Sequence, residues 1–355
     1  MATAEFVVYV RIKIAAWGLH PDLCARFSGQ MGVNVKKLVS FVIPCYRSEA
    51  TLPDVVKEIQ EKMNRMEEYD YEVVLVNDCS PDGTFDTIRR LCQENDNITG
   101  IDLARNFGQH SALMAGFHYV KGDIVVCLDD DGQTPADEAD RLLEGIEKGA
   151  DVVYAKYTNK RHSGFRNWGS HVNEVMTRVM LGKPKELYLS SYFAARRFVV
   201  DEMMRYENAY PYVIGLVLRT TKRIVNVEVN HRDRQAGSSG YTLGKLLGLW
   251  FNGFTAFSVK PLRIATVSGA LFAAVGFLYG IYTIIKKIFI NPPGLVTGFS
   301  ALMSVFVFMG GMLMLMVGLT GEYVGRMYIS MNNSPQFVIR EITGAELNEK
   351  QAGER

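Results

Sequence analysis

The sequence predicts an α/β domain built on a doubly wound, mostly parallel sheet, followed by an interfacial amphipathic helix and a two-helix transmembrane hairpin. Three observations carry that expectation. Short β-rich runs alternate with helical patterns from residue 37 to residue 157; a helical pattern with one aromatic face follows near residue 243; and two long apolar runs near the C-terminus contain no charged residue.

The strands are predicted at 38–44, 71–77, 98–103 and 124–128. Their continuous apolar character implies burial on both faces. Helical spacing with polar edges falls between them at 52–66, 84–94 and 109–120, and strand–helix alternation of this kind builds a parallel, doubly wound sheet. Ligands of such sheets bind beyond the carboxyl ends of the strands. That rule selects the loops 45–49, 78–83, 104–108 and 129–134, which hold most of the unusual polar residues of the first half. After residue 157 come a polar loop, a helical pattern at 165–181, a mixed stretch to His231 and an Arg-, Gly- and Ser-rich flexible loop at 231–241.

Leu243, Leu246, Leu247, Trp250, Phe251, Phe254 and Phe257 then line one face of a helix. Next to a membrane span this face suits the bilayer interface; packing on the α/β domain is the alternative. Residues 264–285 and 295–320 each exceed the roughly 20 residues needed to cross a bilayer core. Lys286, Lys287, Asn291, Pro292 and Pro293 form the turn between them, and Gly276 and Gly280 give a GxxxG spacing that permits close helix approach or homo-oligomer formation. The expected division is an N-terminal extension, poorly ordered, at 1–36; the α/β domain at 37–241; the interfacial helix at 242–262; the hairpin at 263–322; and a cytosolic tail at 323–355.

Composition narrows the function. A formal net charge of +1 over 355 residues excludes the basic field of a nucleic-acid binder. Five scattered cysteines without CxxC spacing read as reduced cytosolic thiols. Arg11 and Lys13 interrupt the apolar N-terminal stretch, so it does not read as a signal peptide, and residues 1–30 suit an extension from an upstream start codon.

The sharpest chemical feature is Asp129-Asp130-Asp131-Gly132-Gln133 at the end of a buried strand. Adjacent carboxylates repel one another, and a hard divalent cation relieves the repulsion. Alternation in an extended segment puts Asp129, Asp131 and Gln133 on one side and Asp130 elsewhere. A solvated acidic turn that caps the following helix is the other reading. Asp78, just past a strand, suits the donors of a ribose or base, while Asp82 and Gly83 suit a turn and helix cap. Tyr46 suits stacking on a base or a place on the rim. Arg105 precedes a helix whose free N–H groups suit an anion. Arg232 and Arg234 suit phosphates or lipid head groups.

Together these segments resemble the family 2 glycosyltransferases of GT-A fold, most closely the polyisoprenyl-phosphate glycosyltransferases. The resemblance is carried by Ile43-Pro44-Cys45-Tyr46, Asn77-Asp78-Cys79-Ser80, Arg105-Asn106-Phe107-Gly108-Gln109-His110-Ser111-Ala112, Asp129-x-Asp131-x-Gln133, His231-x-x-Arg234-x-x-Gly237-x-Ser239-x-Tyr241 and Gly321-Glu322-Tyr323-Val324-Gly325-Arg326. It implies a UDP-sugar donor held by Pro44, Tyr46, Glu49, Asp78, Arg105, Asp129 and Ser239. It implies Mg²⁺ or Mn²⁺ on Asp129, Asp131 and Gln133, and a polyprenyl (undecaprenyl) phosphate acceptor met by Arg232 and Arg234. It further implies inversion at the anomeric carbon and a multi-pass protein of the inner (plasma) membrane with its catalytic domain cytosolic. Transfer to a saccharide or lipid hydroxyl, and a non-catalytic nucleotide-sugar-binding scaffold, are the alternatives.

Three departures stand out. Arg47-Ser48 replaces the family's Asn-Glu, leaving Glu49 as the nearest acid. Gly240 replaces a lysine. Ser191 replaces the aspartate often assigned as general base, so Asp131, Arg234 and Ser191 form the expected catalytic set. A hydroxyl acceptor generally needs a base, whereas a phosphomonoester, with a second pKa of about 6, is already ionised.

Overall fold

The computed structural model describes residues 36–157, 183–230, 299–331 and 334–344, with isolated helical positions between 178 and 289. Strand β1 (Lys37–Cys45) is followed by α1 (Leu52–Met63), β2 (Tyr69–Asn77), α2 (Thr84–Glu94), β3 (Ile98–Leu103), α3 (Gln109–Phe117) and β4 (Ile124–Cys127). A short 3₁₀ turn then leads into α4 (Ala139–Glu147) and β5 (Val152–Tyr157). Further on come β6 (Phe193–Arg196), α5 (Arg197–Met204), α6 (Val213–Thr220), β7 (Ile224–Val229), α7 (Phe299–Met331) and β8 (Ile339–Thr343).

The eight strands form one sheet in the order β7-β5-β6-β4-β1-β2-β3-β8. β1 pairs in parallel with both β2 and β4, so strand order reverses at β1. β6 runs antiparallel between β4 and β5, and β8 antiparallel along β3. The helices divide the apolar side chains into two cores. One lies under α1, α2 and α4, around Phe41, Ile43, Leu52, Ile59, Leu75 and Ile88. The other lies under α3, α5 and α6, around Val42, Val74, Phe117, Phe193 and Val217.

The strands and helices expected between residues 37 and 128 are present with shifted ends. The helix expected at 109–120 stops at Phe117 and has no polar face: Ser111–Phe117 are all buried, because the sheet covers one side and α5 and α6 the other. Its close seating depends on Gly116. A Cβ there would stand 2.5 Å from Val42 Cγ1 and 3.1 Å from Val76 Cγ2, well inside contact distance.

The C-terminal region differs more. The second span, expected at 295–320, is part of a 33-residue helix that runs on to Met331. At about 1.5 Å per residue it is longer than the roughly 30 Å core of a bilayer. By length and composition its stretch Phe308–Gly325 is apolar enough to cross a membrane, and none of that window is buried. Gly269, one of the isolated helical positions within the first span expected at 264–285, lies against Met316 of α7, its Cβ direction meeting the methionine methyl at 2.9 Å. The tail expected at 323–355 is not a free tail. Its start completes α7, and β8 closes one edge of the sheet by antiparallel pairing with β3. The extension at 1–30, the helix at 165–181, the interfacial helix, Gly276, Gly280 and the loop 231–241 lie outside the described residues.

Gly116→Val is expected to destabilise the protein by about 1–3 kcal/mol through overpacking. Thermal denaturation of the solubilised full chain checks this; an unchanged midpoint would show that the α3–sheet contact gives way freely.

Candidate active site

The reversal of strand order at β1 opens a crevice beyond the carboxyl ends of β1 and β4, with the β2 and β3 loops beside it. The four loops selected from the sequence meet there. Asp130 fastens two of them together: its Oδ2 accepts the Tyr46 N–H at 2.9 Å, and its carbonyl accepts the Thr51 hydroxyl at 2.6 Å. Burial raises its pKa, and the Tyr46 bond opposes the rise. Asp130 thus braces the loop after β1 and leaves the Tyr46 ring 45% exposed, with the Arg47 guanidinium 5.5 Å from the ring centre.

Asp129 is held from two sides. Gln109 Nε2, from the first turn of α3, donates to Oδ1 at 2.8 Å, and the Ser191 hydroxyl donates to Oδ2 in a short hydrogen bond. Burial pushes the Asp129 pKa up to about 6; the Ser191 bond opposes this, and the charges of Asp131 and Asp130 add to it. Such a carboxylate gains from a nearby positive charge.

The alternation expected through 129–133 does not hold. β4 ends at Cys127, residues 130–132 bend, and Gly132 takes φ 71°, a conformation that glycine adopts without steric penalty. Asp131 Oδ1 accepts the Gln133 N–H at 3.1 Å, which closes a local turn. The charge of Asp131 acts on Asp129, although no strand presents the two side chains together.

Asp78 has partners within the protein. Its two oxygens accept the backbone N–H groups of Phe107 at 2.7 Å and Gly108 at 2.8 Å, and the side chain is buried. Burial raises its pKa while these two bonds pull it down. Asp78 therefore shapes the loop before α3, where Arg105 stacks its guanidinium 4.5 Å from the Phe107 ring centre. Glu49 accepts the Gly83 N–H at 3.1 Å and so ties the β1 loop to the start of α2. Pro44 is buried in β1, opposite Val76, one residue before the strand ends at Cys45. Arg47 (φ 58°) and Cys79 (φ 51°) both adopt left-handed backbone, strained for residues with a Cβ, and Arg47 N donates to Ser80 Oγ at 2.8 Å between them.

Two further residues were not singled out as functional. Gln109 lay within a noted motif, and its place at a helix start gave the only signal. Tyr157, at the end of β5, bonds to Thr134 and feels the charges of Asp129 and Asp131; burial raises its hydroxyl pKa well above the ordinary value. Arg232, Arg234 and Ser239 lie outside the described residues. Among the described residues no group of three His, Cys, Asp or Glu side chains is arranged to hold a metal by itself, and all four described cysteines are free thiols.

A mixed sheet, parallel around β1 and with its acidic loop at the switch point, joined to an apolar membrane-length helix, defines a class. Residues 40–204 match the model of Glycosyl transferase family 2, and residues 260–327 match the GtrB C-terminal hairpin. The chain belongs to the family 2 glycosyltransferases, among those that carry this hairpin. It is 33% identical to undecaprenyl-phosphate 4-deoxy-4-formamido-L-arabinose transferase of Aeromonas hydrophila over 86% of this chain and 94% of that protein. The enzyme of the same name from Proteus mirabilis is also 33% identical, over 87% and 94%. Among solved structures, mannosyl-3-phosphoglycerate synthase from Rubrobacter xylanophilus is similar with a TM-score of 0.46 at 18% identity, covering 67% of this chain and 77% of that one.

His110, beside Gln109, packs edge-on to Tyr212 at 5.0 Å, and its Nδ1 is buried without a hydrogen-bond partner among the described residues. Burial pushes its pKa down from 6.5 to about 4. The folded protein then binds fewer protons than the unfolded chain between those values. The stability that His110 contributes is full above about pH 6.5 and is lost as pH falls towards 4, at up to about 1.4 kcal/mol per pH unit. A melting-temperature series from pH 7.5 to 4.5 should fall less steeply for His110→Gln than for the natural protein; parallel curves would refute the assignment.

Proposed function

We propose that this chain moves a sugar from a UDP-sugar to undecaprenyl phosphate, or a similar polyprenyl phosphate, with inversion at the anomeric carbon. The observation that carries this reading is the buried Asp129, acted on by the charge of Asp131, at the switch point of a family 2 sheet that also takes back the chain, as β8, after the apolar helix α7. The relatives named above support the acceptor, since they match this chain along nearly its whole length, hairpin included.

The donor set fits a divalent cation. Asp129 is raised in pKa by burial and by its acidic neighbours, and two carboxylates with no closed protein cage suit Mg²⁺ or Mn²⁺, which share their coordination with substrate phosphates. Asp129 and Asp131 would hold the ion, with Gln133 as a third oxygen donor. When bound, such an ion supplies positive charge against the departing nucleoside diphosphate.

The chain's own residues do the rest. Gln109 and Ser191 fix the direction of the Asp129 carboxylate. Tyr46, exposed at the crevice, offers a face to the base, and Arg105 a guanidinium to phosphate. Asp78 and Glu49 act on the donor through the loops that they hold, and Pro44 through the strand that carries Tyr46. Arg232, Arg234 and Ser239 would handle phosphate in the loop before the membrane. Ser191 is bonded to Asp129, and a hydroxyl there is no general base; an acceptor phosphate that arrives ionised does not need one. The catalytic domain would lie on the cytosolic side of the inner membrane, with two spans anchoring it.

The test is incubation of the purified full chain with Mn²⁺, polyprenyl phosphate and a panel of radiolabelled nucleotide sugars. Organic-extractable label released by mild acid is expected, lost with EDTA and restored by Mn²⁺. Asp129→Asn and Asp131→Asn should each lower kcat/KM by about 100-fold or more, in line with the loss of a charge-stabilising group. No extractable label with any donor would sink the reading, and label in a product that resists mild acid would point to a hydroxyl acceptor.

A further inference from the structure

The strand that follows the last helix brings one charged side chain beneath the crevice loops. β8 pairs with β3 through Gly100 with Thr343, Ile101 with Ile342 and Asp102 with Glu341, and the register shifts between Asp102 and Leu103. Beside that irregularity Arg340 reaches across β3. Its Nη1 donates to Asp102 Oδ2 at 3.1 Å and its Nη2 to the Ala104 carbonyl at 2.7 Å.

The connections continue inward. Asp102 Oδ1 accepts Asn77 Nδ2 at 2.7 Å, and Asn77 Oδ1 accepts the Ser80 N–H at 3.2 Å. Arg340 Nη2 also lies 3.8 Å from Cys79 Sγ, within the turn whose backbone is left-handed. One guanidinium therefore engages the bases of two crevice loops, the one after β2 and the one after β3. The Asp102 side chain is 4% exposed, whereas that of Arg340 is 54% exposed. A buried carboxylate that loses its cation is left with unmet hydrogen-bonding capacity, so the network depends on Arg340 more than a surface pair would. The neighbouring Arg89–Glu341 pair, 2.7 Å apart and 42% exposed on each side, ties β8 to α2 without reaching either loop.

We propose that Arg340 is a positioning residue for the donor site. Through Asp102 and Asn77 it holds the Asp78–Ser80 turn, and through the Ala104 carbonyl it holds the start of the Arg105–Gly108 loop. The inference rests on the reading of this crevice as the nucleotide site, but its structural half can be measured with no ligand present.

The experiment compares Arg340→Ala, Arg340→Lys and Glu341→Ala in the solubilised full chain. In ligand-free protein, hydrogen exchange of the Ser80, Phe107 and Gly108 amides should speed up roughly tenfold in Arg340→Ala, the factor for loss of about 1.4 kcal/mol of local stability. Arg340→Lys, which keeps a charge for Asp102 but not the second donor, should give an intermediate change, and Glu341→Ala none. Calorimetry with UDP and Mn²⁺ should show roughly tenfold weaker UDP binding in Arg340→Ala alone. Unchanged exchange in Arg340→Ala, or an equal change in Glu341→Ala, overturns the proposal. So does natural-strength UDP binding by Arg340→Ala. If the natural protein binds no UDP while the exchange pattern is as expected, the positioning role stands and the donor reading falls.

Discussion

β1 is hydrogen-bonded in parallel to β2 on one edge and to β4 on the other, and helices cover both of its faces. A strand in that position has no room for an unpartnered polar group, which is costly in an apolar interior. Its single buried hydroxyl makes the point: Ser40 donates to Glu72 at 2.6 Å and accepts the Gly122 N–H at 2.8 Å. The same constraint acts on β2 and β4, so polar chemistry is displaced to the carboxyl ends of these strands. Those ends are brought level by the register that pairs Cys45 with Asn77 and Asn77 with Asp102. The crevice is a consequence of the packing, and its loops are polar because the strands cannot be.

Crowding carboxylates into such a place is unfavourable unless each has a partner, and the structure divides the work among them. Asp130 and Asp78 are satisfied mainly by backbone N–H groups of other loops, which makes them struts. Asp82 is satisfied by Ser80 and Thr84 within its own turn; burial raises its pKa, but these bonds outweigh it and hold the value below the ordinary one. Asp129 alone meets only side-chain donors, Gln109 and Ser191, and its pKa is raised to about 6. The carboxylate left least neutralised by the backbone is thus Asp129, on which the charges of Asp131 and Asp130 also act, so it gains most from a nearby positive charge.

Much of this was legible in the sequence. Continuous apolar runs mark β1 to β4 because burial on both faces imposes them, and the loops follow from strand direction. Strand period did not extend past Cys127, since Gly132 turns the chain, so the grouping of Asp129 with Asp131 was reached by an argument that the backbone does not obey. The role of Asp78 was illegible for a different reason. Its partners are the amides of Phe107 and Gly108, and backbone groups leave no mark in residue type. β8 was missed because five residues of mixed polarity after a long apolar helix look like a tail. Only pairing with β3 makes them a strand.

That strand changes how the two halves of the molecule relate. An apolar helix with its surface exposed does not by itself orient an active site; it needs a fixed attachment to the sheet that carries the loops. β8 supplies one only a short connection after Met331, through ladder bonds to β3, the Arg89–Glu341 pair and Arg340 beneath the crevice. The two attachments differ in kind. The exposed pair contributes little and is easily screened, whereas Arg340 neutralises a buried carboxylate that in turn orders Asn77 and Ser80. A displacement of β8 would reach the β2 and β3 loops through Arg340 and the second apolar core through Ile339. Such an attachment ties the geometry of the β2 and β3 loops to the segment that follows the long apolar helix α7.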